Sequence, residues 1–305
     1  MAGKEEQGNL TRTRLALGMA VFGSATPVSK IVTGAMPVFV GSALRVGLGA
    51  VVLAPFAWKA RAQVREFERR DWITVCLIAL FGMFGFSALM LYGMKMIPGV
   101  VGAIVMSTAP AVTAAASMLF FGDSPTWRKL TAIAFAVAGV LLLQLGQGSG
   151  EGSGSEMWLG AALVFAAVCC EACYTLLGKR MSEHIDPVLV AFLAAALSIP
   201  LFLPFAIWQL SGFDVASVGA GAWAAAIWYG AGTLSLGTWL WYSGLARAEG
   251  AVAAAFMGVM PASALILSYV LLGEEFRWVH MAGFGTVFAG VLLVSWEHAR
   301  MEKEG

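Results

Sequence analysis

The sequence predicts an all-α integral membrane protein with ten transmembrane helices, arranged as two inverted five-helix repeats. Three observations lead to this prediction: the apolar composition, the distribution of basic residues and an internal repeat. Apolar residues make up 59% of the chain, and charged residues make up only 12%. The apolar residues occur in runs of about 20, the length at which an α-helix crosses the hydrocarbon core of a bilayer.

These apolar runs place the predicted spans and divide the chain. The spans are predicted near residues 15–34, 38–58, 72–97, 99–121, 127–145, 157–178, 187–209, 221–246, 250–272 and 278–296. The resulting segments are a cytoplasmic tail (1–14), a first five-helix repeat (15–145), a Gly/Ser linker (146–156), a second five-helix repeat (157–296) and a second cytoplasmic tail (297–305).

One long segment of the chain occurs twice. When residues 93–143 are set above residues 244–294, at a constant offset of 151, fifteen of the fifty-one columns are identical. The identical pairs include Pro110 with Pro261 and Trp127 with Trp278. In an Ala-, Gly- and Leu-rich chain, prolines and tryptophans seldom align by chance. Self-similarity at a fixed offset indicates that the two halves are homologous.

Basic residues predict the orientation of the spans, because Lys and Arg concentrate in cytoplasmic loops. With a cytoplasmic N-terminus, 15 of the 19 basic residues lie on the inner side. Both termini are therefore predicted to be cytoplasmic. Because each half has an odd number of helices, the two halves are predicted to insert in opposite orientations.

Several classes of function are disfavoured by the sequence. A net charge of +1 and the lack of a soluble domain argue against nucleic-acid binding. A Walker sequence is absent, which argues against an ATP-driven pump. The three histidines lie near helix ends, so Ser87 in Gly-Phe-Ser lacks the base that a membrane serine protease requires. Cys170 and Cys173 lack further zinc ligands nearby. We therefore expect no enzyme activity, no cofactor and no metal.

Pro110 and Pro261 occupy corresponding mid-membrane positions of the fourth and ninth predicted helices. Each proline removes a backbone donor and frees a carbonyl group, which in lipid is tolerated where protein or a water-filled cavity satisfies it. Matched helix breaks in inverted halves point to a substrate site between the halves. The alternative interpretation is a structural kink that shapes packing.

The pattern as a whole resembles the EamA type of the drug/metabolite transporter superfamily, and nearly the whole chain takes part in the resemblance. The residues that carry it are Phe22-Gly23-Ser24 with Lys30, Ala43-Leu44-Arg45, the Gly-acid helix ends Gly122-Asp123 and Gly273-Glu274, and the triplets Ala138-Gly139-Val140 and Ala289-Gly290-Val291. Within the superfamily the chain looks most like the YddG-type amino-acid exporters of bacterial inner membranes. The resemblance implies amino-acid export through a cavity lined mainly by helices 3, 4, 8 and 9.

Glu171 is the only acidic residue deep within a predicted span. A charge at that depth costs about 2.5 to 3.5 kcal/mol on insertion scales, so such residues are often functional. One interpretation is a proton site or a partner for a substrate amino group. The other is a structural acid paired with Lys30, Arg45 or Lys179.

Three basic residues within or at the ends of spans have a structural and a functional interpretation. Lys30 lies about one turn below the outer end of the first predicted helix, and Arg45 lies about two turns into the second; the stems of both allow the charges to snorkel outward. Lys179 is the inverted counterpart of Lys30. We predict structural or topological roles for all three, with recognition of a substrate carboxylate as the alternative.

Aromatic, soft and hydroxyl side chains crowd the expected cavity helices. Phe84, Trp239 and Met257 are predicted to line an adaptable apolar pocket, although packing or lipid contact is the alternative for any single aromatic residue. Ser24, Ser87, Ser107 and Thr238 are predicted to supply polar contacts, although hydroxyl groups also bond to their own helix.

Together these observations predict a secondary transporter that exports amino acids, aromatic and others with broad specificity, across the inner membrane by alternating access. An exporter of drugs or other small metabolites is the alternative. The predicted partners are amino acids or similar small molecules and membrane lipid. We expect the protein to be a monomer.

Overall fold

The computed structural model describes residues 2–120, 122–145, 154–248, 252 and 256–304, and all regular structure among them is helical. We number the helices in chain order: α1 Ala2–Ala35, α2 Val38–Ala57, α3 Arg69–Met96, α4 Gly99–Phe120, α5 Trp127–Leu145, α6 Gly154–Met181, α7 Pro187–Leu210, α8 220–245, α9 Val259–Leu272 and α10 Trp278–Glu304. Short 3₁₀ helices lie at Trp58–Glu66 and Val215–Ser217.

Six of the described helices are long and apolar enough to cross a bilayer. They are α1, α3, α4, α6, α7 and the segment Val38–Glu66, which contains α2. Two further apolar helices, Val259–Leu272 and Trp278–Leu293, are shorter. The all-helical class is confirmed, whereas the ten-span inverted topology stays a prediction.

Helix continues through most of the two predicted tails. Helix α1 begins at Ala2 and α10 continues to Glu304, so residues assigned to tails extend the terminal helices. The reason is local, because both ends contain Glu, Lys and Arg, which favour helix. Most of the predicted linker, residues 146–153, lies outside the described residues.

The chain forms two compact units, and each unit combines helices from both halves of the sequence. Unit 1 comprises 1–27, 98–158 and 236–305, and unit 2 comprises 28–97 and 159–235. The chain passes between the units four times: within α1 next to Pro27, between α3 and α4, within α6 after residue 158, and within α8 after Ser235.

In unit 1, glycines allow helices to approach closely. A Cβ atom added at Gly23 of α1 would lie 2.0 Å from Ser263 Oγ and 2.4 Å from the carbonyl oxygen of Met260 on α9. A Cβ atom at Gly139 of α5 would lie 2.7 Å from the carbonyl oxygen of Gly283 on α10. These are the close small-residue contacts that drive helix association in membranes.

Unit 2 is built around α2, α3 and α7. Its core contains fully buried Ile78, Met83 and Phe202, and Phe84 packs against this core. At one edge the backbone N–H of Phe39 donates a hydrogen bond of 2.8 Å to Gln209 Oε1.

Helices α3 and α8 contain π-helical stretches at corresponding positions. The stretch in α3 covers Ile78–Gly85, and the stretch in α8 covers Trp228–Leu236. Moving the first range by the repeat offset of 151 gives 229–236. The two halves therefore share this irregularity, and π-helical turns are frequent at functional sites.

Turns lie next to Pro110 and Pro261, within α4 and directly before α9. Helix α4 consists of Gly99–Met106 and Ala109–Phe120, separated by a turn at Ser107 and Thr108. Helix α9 begins at Val259, directly after a turn at 257–258. Pro110 and Pro261 therefore lie in the first turn of the helical segment that follows, where a missing backbone N–H costs little.

The Gly-acid motifs end α4 and α9 and join neighbouring helices. Gly122 and Gly273 have φ angles of 74° and 63°, the left-handed conformation in which chains leave helices. Glu274 then accepts hydrogen bonds from the backbone N–H groups of Gly99 and of Val100, the latter at 2.8 Å, and so caps the N-terminus of α4.

Candidate substrate site

The structure buries Arg45 in the interior of unit 2. The side chain lies on α2 and is only 8% exposed, so it does not snorkel to the helix end as the sequence suggests. Its Nη1 atom donates a hydrogen bond of 2.6 Å to Ser87 Oγ on α3. Its Cζ atom lies 4.9 Å from the ring centroid of Tyr229 and 5.2 Å from that of Phe86. Two cation–π contacts and one hydrogen bond therefore hold the guanidinium group in place.

Close packing of α8 on α2 brings Tyr229 to Arg45. A Cβ atom added at Gly230 would lie 2.8 Å from the carbonyl oxygen of Arg45 and 3.2 Å from its Cα atom. Nearby, Ser235 Oγ donates a hydrogen bond of 3.0 Å to the carbonyl oxygen of Gly49 on α2. Any side chain at Gly230 would push the two helices apart at this point.

Glu171 reaches the same region from α6. Helices α6 and α3 touch where a Cβ atom added at Gly85 would lie 3.2 Å from Cys170 Sγ. Glu171 follows Cys170, just as Phe86 and Ser87 follow Gly85. The carboxylate of Glu171 interacts electrostatically with Arg45. Four helices, two from each half of the sequence, therefore contribute to one buried polar cluster.

Several polar atoms of these helices are buried without a hydrogen-bond partner among the residues that the structure describes. They are Ser42 Oγ, Arg45 Nε, Glu171 Oε2 and Tyr229 Oη. Ser42 precedes Arg45 by about one helical turn and is fully buried. Since buried polar groups in native proteins nearly always have partners, each exception requires an explanation.

The other two predicted basic residues lie elsewhere. Lys30 Nζ donates hydrogen bonds of 2.7 Å to the carbonyl oxygen of Met94 and of 2.8 Å to that of Ile97, at the C-terminal end of α3. A cation at a helix C-terminus stabilises the unpaired carbonyls, which favours the structural interpretation of Lys30. Lys179 is exposed near the end of α6.

Phe84 belongs to an aromatic cluster in unit 2. Its ring centroid lies 4.8 Å from that of Phe202, 6.0 Å from that of Phe205 and 6.2 Å from that of Phe39. Phe202 is fully buried. This geometry favours the packing interpretation of Phe84 over a role in lining a pocket.

The remaining predicted site residues belong to unit 1. They are Ser24, Ser107, Pro110, Thr238, Trp239, Met257 and Pro261. Ser24 Oγ donates to the carbonyl oxygen of Val21, and Ser107 Oγ donates to that of Ile104, both at 2.6 Å. These hydroxyl groups therefore bond back to their own helices. Thr238 is buried, whereas Met257 is exposed in the turn before α9.

Trp239 lies beside the polar N-terminal part of α1. The Cζ atom of Arg14 is 5.8 Å from the centroid of its ring, and the residue is 37% exposed. This contact joins Trp239 on α8 to the part of α1 that precedes the predicted first span.

Tyr229 and Ser42 were not predicted as site residues. Tyr229 is one of many aromatic residues in the spans, and Ser42 one of many hydroxyl residues. The adjacent Gly230 was an available signal, because glycine in a transmembrane helix often marks the approach of another backbone. Among the described residues, no three His, Cys, Asp or Glu side chains are grouped to hold a metal ion.

Comparisons with known proteins agree with this architecture. The sequence pattern of the EamA-like transporter family matches the chain twice, at residues 14–145 and 158–296. A solved crystal structure of a protein has a TM-score of 0.64 at 17% identity, covering 95% of this chain and 98% of that chain, which shows a shared fold.

Relatives of known sequence are similar over most of their length. The uncharacterized transporter YetK of Bacillus subtilis is 32% identical over 280 residues, which cover 92% of this chain and 84% of that protein. A probable terminal-alkyne amino-acid exporter of Streptantibioticus cattleyicolor is 25% identical over 281 residues, which cover 92% of each protein. The twofold match, the shared fold and these similarities show that the chain is a multi-pass membrane protein that belongs to the EamA-like transporter family.

Proposed function

We propose that this protein is a secondary transporter that exports amino acids across a bacterial inner membrane by alternating access. In this proposal both termini are cytoplasmic, and the two five-helix halves are inverted, as in the YddG-type exporters that the sequence resembles. The observation that carries the proposal is the buried Arg45 cluster of unit 2. It offers a fixed cation in the mostly apolar interior of unit 2.

The chemistry of the cluster fits a small substrate with a carboxylate group. An Arg guanidinium group binds carboxylates through paired hydrogen bonds, more specifically than Lys does. Arg45 uses Nη1 for Ser87, while its Nε has no partner among the described residues. A buried charge is costly, and in membrane proteins charged residues within spans mark substrate pathways.

The broken helices support alternating access. Two of the four crossings between the units lie next to Pro27 in α1 and at the end of the π-helical stretch in α8. Proline and π-helical turns weaken the regular hydrogen-bond ladder, so these are positions at which helices bend. The turns before Pro110 and Pro261 give α4 and α9 further flexible points of the kind seen in transporters with discontinuous helices.

The similarity to a probable terminal-alkyne amino-acid exporter supports the choice of substrate class. Aromatic side chains surround the cluster, because Phe86 and Tyr229 both contact Arg45. Such surroundings suit the apolar side chains of many amino acids, so we propose broad specificity.

Counterflow into proteoliposomes tests the proposal. Vesicles loaded with one unlabelled amino acid should accumulate a different labelled one, and several amino acids should compete. The variant Arg45→Gln should lose this flux, whereas Lys179→Gln, which changes an exposed charge, should keep it. If the folded, inserted protein carries no amino acid but carries organic cations or other metabolites, the drug and metabolite alternative replaces this proposal.

A further inference from the structure

We infer that Arg45 and Glu171 form a two-point site for the zwitterionic head group of an α-amino acid, in which Arg45 binds the carboxylate and Glu171 binds the ammonium group. This inference rests on the proposed function and adds which groups recognise the substrate. It also defines which molecules the site rejects.

The contacts of Arg45 leave the edge of the guanidinium group that carries Nε available for a ligand. Ser87 accepts from Nη1, and the rings of Phe86 and Tyr229 lie near the guanidinium group. The Nε atom is buried without a partner in the described structure. Nε belongs to the edge that carboxylates bind side-on with two parallel hydrogen bonds.

Glu171 supplies the opposite charge. Its Oε2 atom is also buried without a hydrogen-bond partner among the described residues, while the group interacts electrostatically with Arg45. An ammonium group carries three donors and matches a carboxylate that accepts from more than one direction. A head group bound between the two residues would therefore meet an opposite charge at each end.

A purely structural ion pair explains these observations less well. A buried pair compensates for desolvation only with good geometry and with its remaining polar atoms satisfied. Here Arg45 bonds to Ser87, and each charged group retains an unpartnered atom. The unpartnered hydroxyl groups of Ser42 and Tyr229 add polar capacity from α2 and α8.

Charge balance follows from this arrangement. When Glu171 is ionised, its charge and that of Arg45 sum to zero in the empty site. A bound zwitterion adds no net charge, so the loaded site is also neutral. An acid without an ammonium group, or an amine without a carboxylate, would leave one buried charge uncompensated, which is strongly unfavourable.

Competition experiments test the two-point site. The probes are a labelled amino acid that the wild type carries, its N-acetyl derivative, which lacks the ammonium group, and the matching amine, which lacks the carboxylate. In the wild type, both analogues should compete at least about tenfold more weakly than the amino acid, because each leaves a buried group unpaired. In Glu171→Gln, the N-acetyl compound should compete about as well as the amino acid, whereas the amine should still compete more weakly.

Glu156→Gln is the matched control, because Glu156 is an exposed acid on the same helix. If Glu171→Gln is folded but inactive in transport, binding of the same three compounds is measured by thermal stabilisation of the purified protein. Unchanged discrimination in Glu171→Gln would overturn the two-point site while leaving amino-acid export intact. A wild type without any amino-acid flux would instead contradict the proposed function.

Discussion

The contact between Glu274 and the start of α4 gives a well-defined stability prediction. The carboxylate accepts from the first two backbone N–H groups of the helix, those of Gly99 and Val100. The substitution Glu274→Gln keeps the shape of the side chain but replaces one acceptor oxygen with a donor NH₂ group. One of the two backbone N–H groups then loses its acceptor and faces another donor.

The expected cost follows from the lost interactions. A hydrogen bond to a charged group contributes about 1.5 to 3 kcal/mol. A negative charge at a helix N-terminus contributes about 0.3 to 1 kcal/mol more. We therefore expect Glu274→Gln to lower the free energy of unfolding by about 2 to 4 kcal/mol. Glu275 is the neighbouring, exposed acid, and Glu275→Gln should stay within about 0.5 kcal/mol of the wild type.

Unfolding in detergent, followed by tryptophan fluorescence during a denaturant titration, measures both variants. The Glu274→Gln midpoint should fall clearly, while the Glu275→Gln midpoint should match the wild type. Equal midpoints for the two variants would show that the cap contributes nothing, and the reasoning from its hydrogen bonds would fail.

Three further predictions concern packing, helix ends and charge. Gly230→Ala should destabilise the protein by about 1 to 3 kcal/mol and weaken amino-acid affinity through Arg45. Gly221→Ala should do neither, because a Cβ atom added at Gly221 meets nothing within 4 Å. A denaturant titration measures the stability of both variants, and counterflow measures their affinity. Lys30→Met should lower the free energy of unfolding by about 1 to 3 kcal/mol, because it leaves two carbonyl oxygens at the C-terminal end of α3 unpaired. The exposed control Lys179→Met should leave the denaturation midpoint unchanged. Amino-acid flux in proteoliposomes should not change when a potassium diffusion potential is imposed, and a potential-driven flux would contradict a neutral site.

The sequence predicted the helical class and several local features for clear physical reasons. Proline cannot donate a backbone hydrogen bond, and the structure has a turn within α4 next to Pro110 and a turn directly before α9 near Pro261. Glu171 was identifiable because an acid within an apolar span is rare and costly.

Other features depend on tertiary contacts that the sequence does not display. Arg45 was expected about two turns inside a span and able to snorkel outward, yet the rings of Phe86 and Tyr229 hold it in the interior. Glu274 was recognisable as part of a Gly-acid motif, but its partner Gly99 is 175 residues away in the chain. Trp239 was predicted to line a pocket from its position in the sequence, which does not reveal its contact with Arg14.

The π-helical stretches change how side chains are distributed around α3 and α8. Each i→i+5 turn takes up about one residue more than an α-helical turn, so the angular position of every later side chain lags behind that of a regular helix. A helical wheel drawn through α3 therefore assigns residues after Gly85 to the wrong side, and the same holds after Leu236 in α8. Phe86 and Ser87 contact Arg45 directly after this phase shift. Deleting one residue from the stretch Ile78–Gly85 would rotate these two side chains about the helix axis while leaving the composition of the helix almost unchanged.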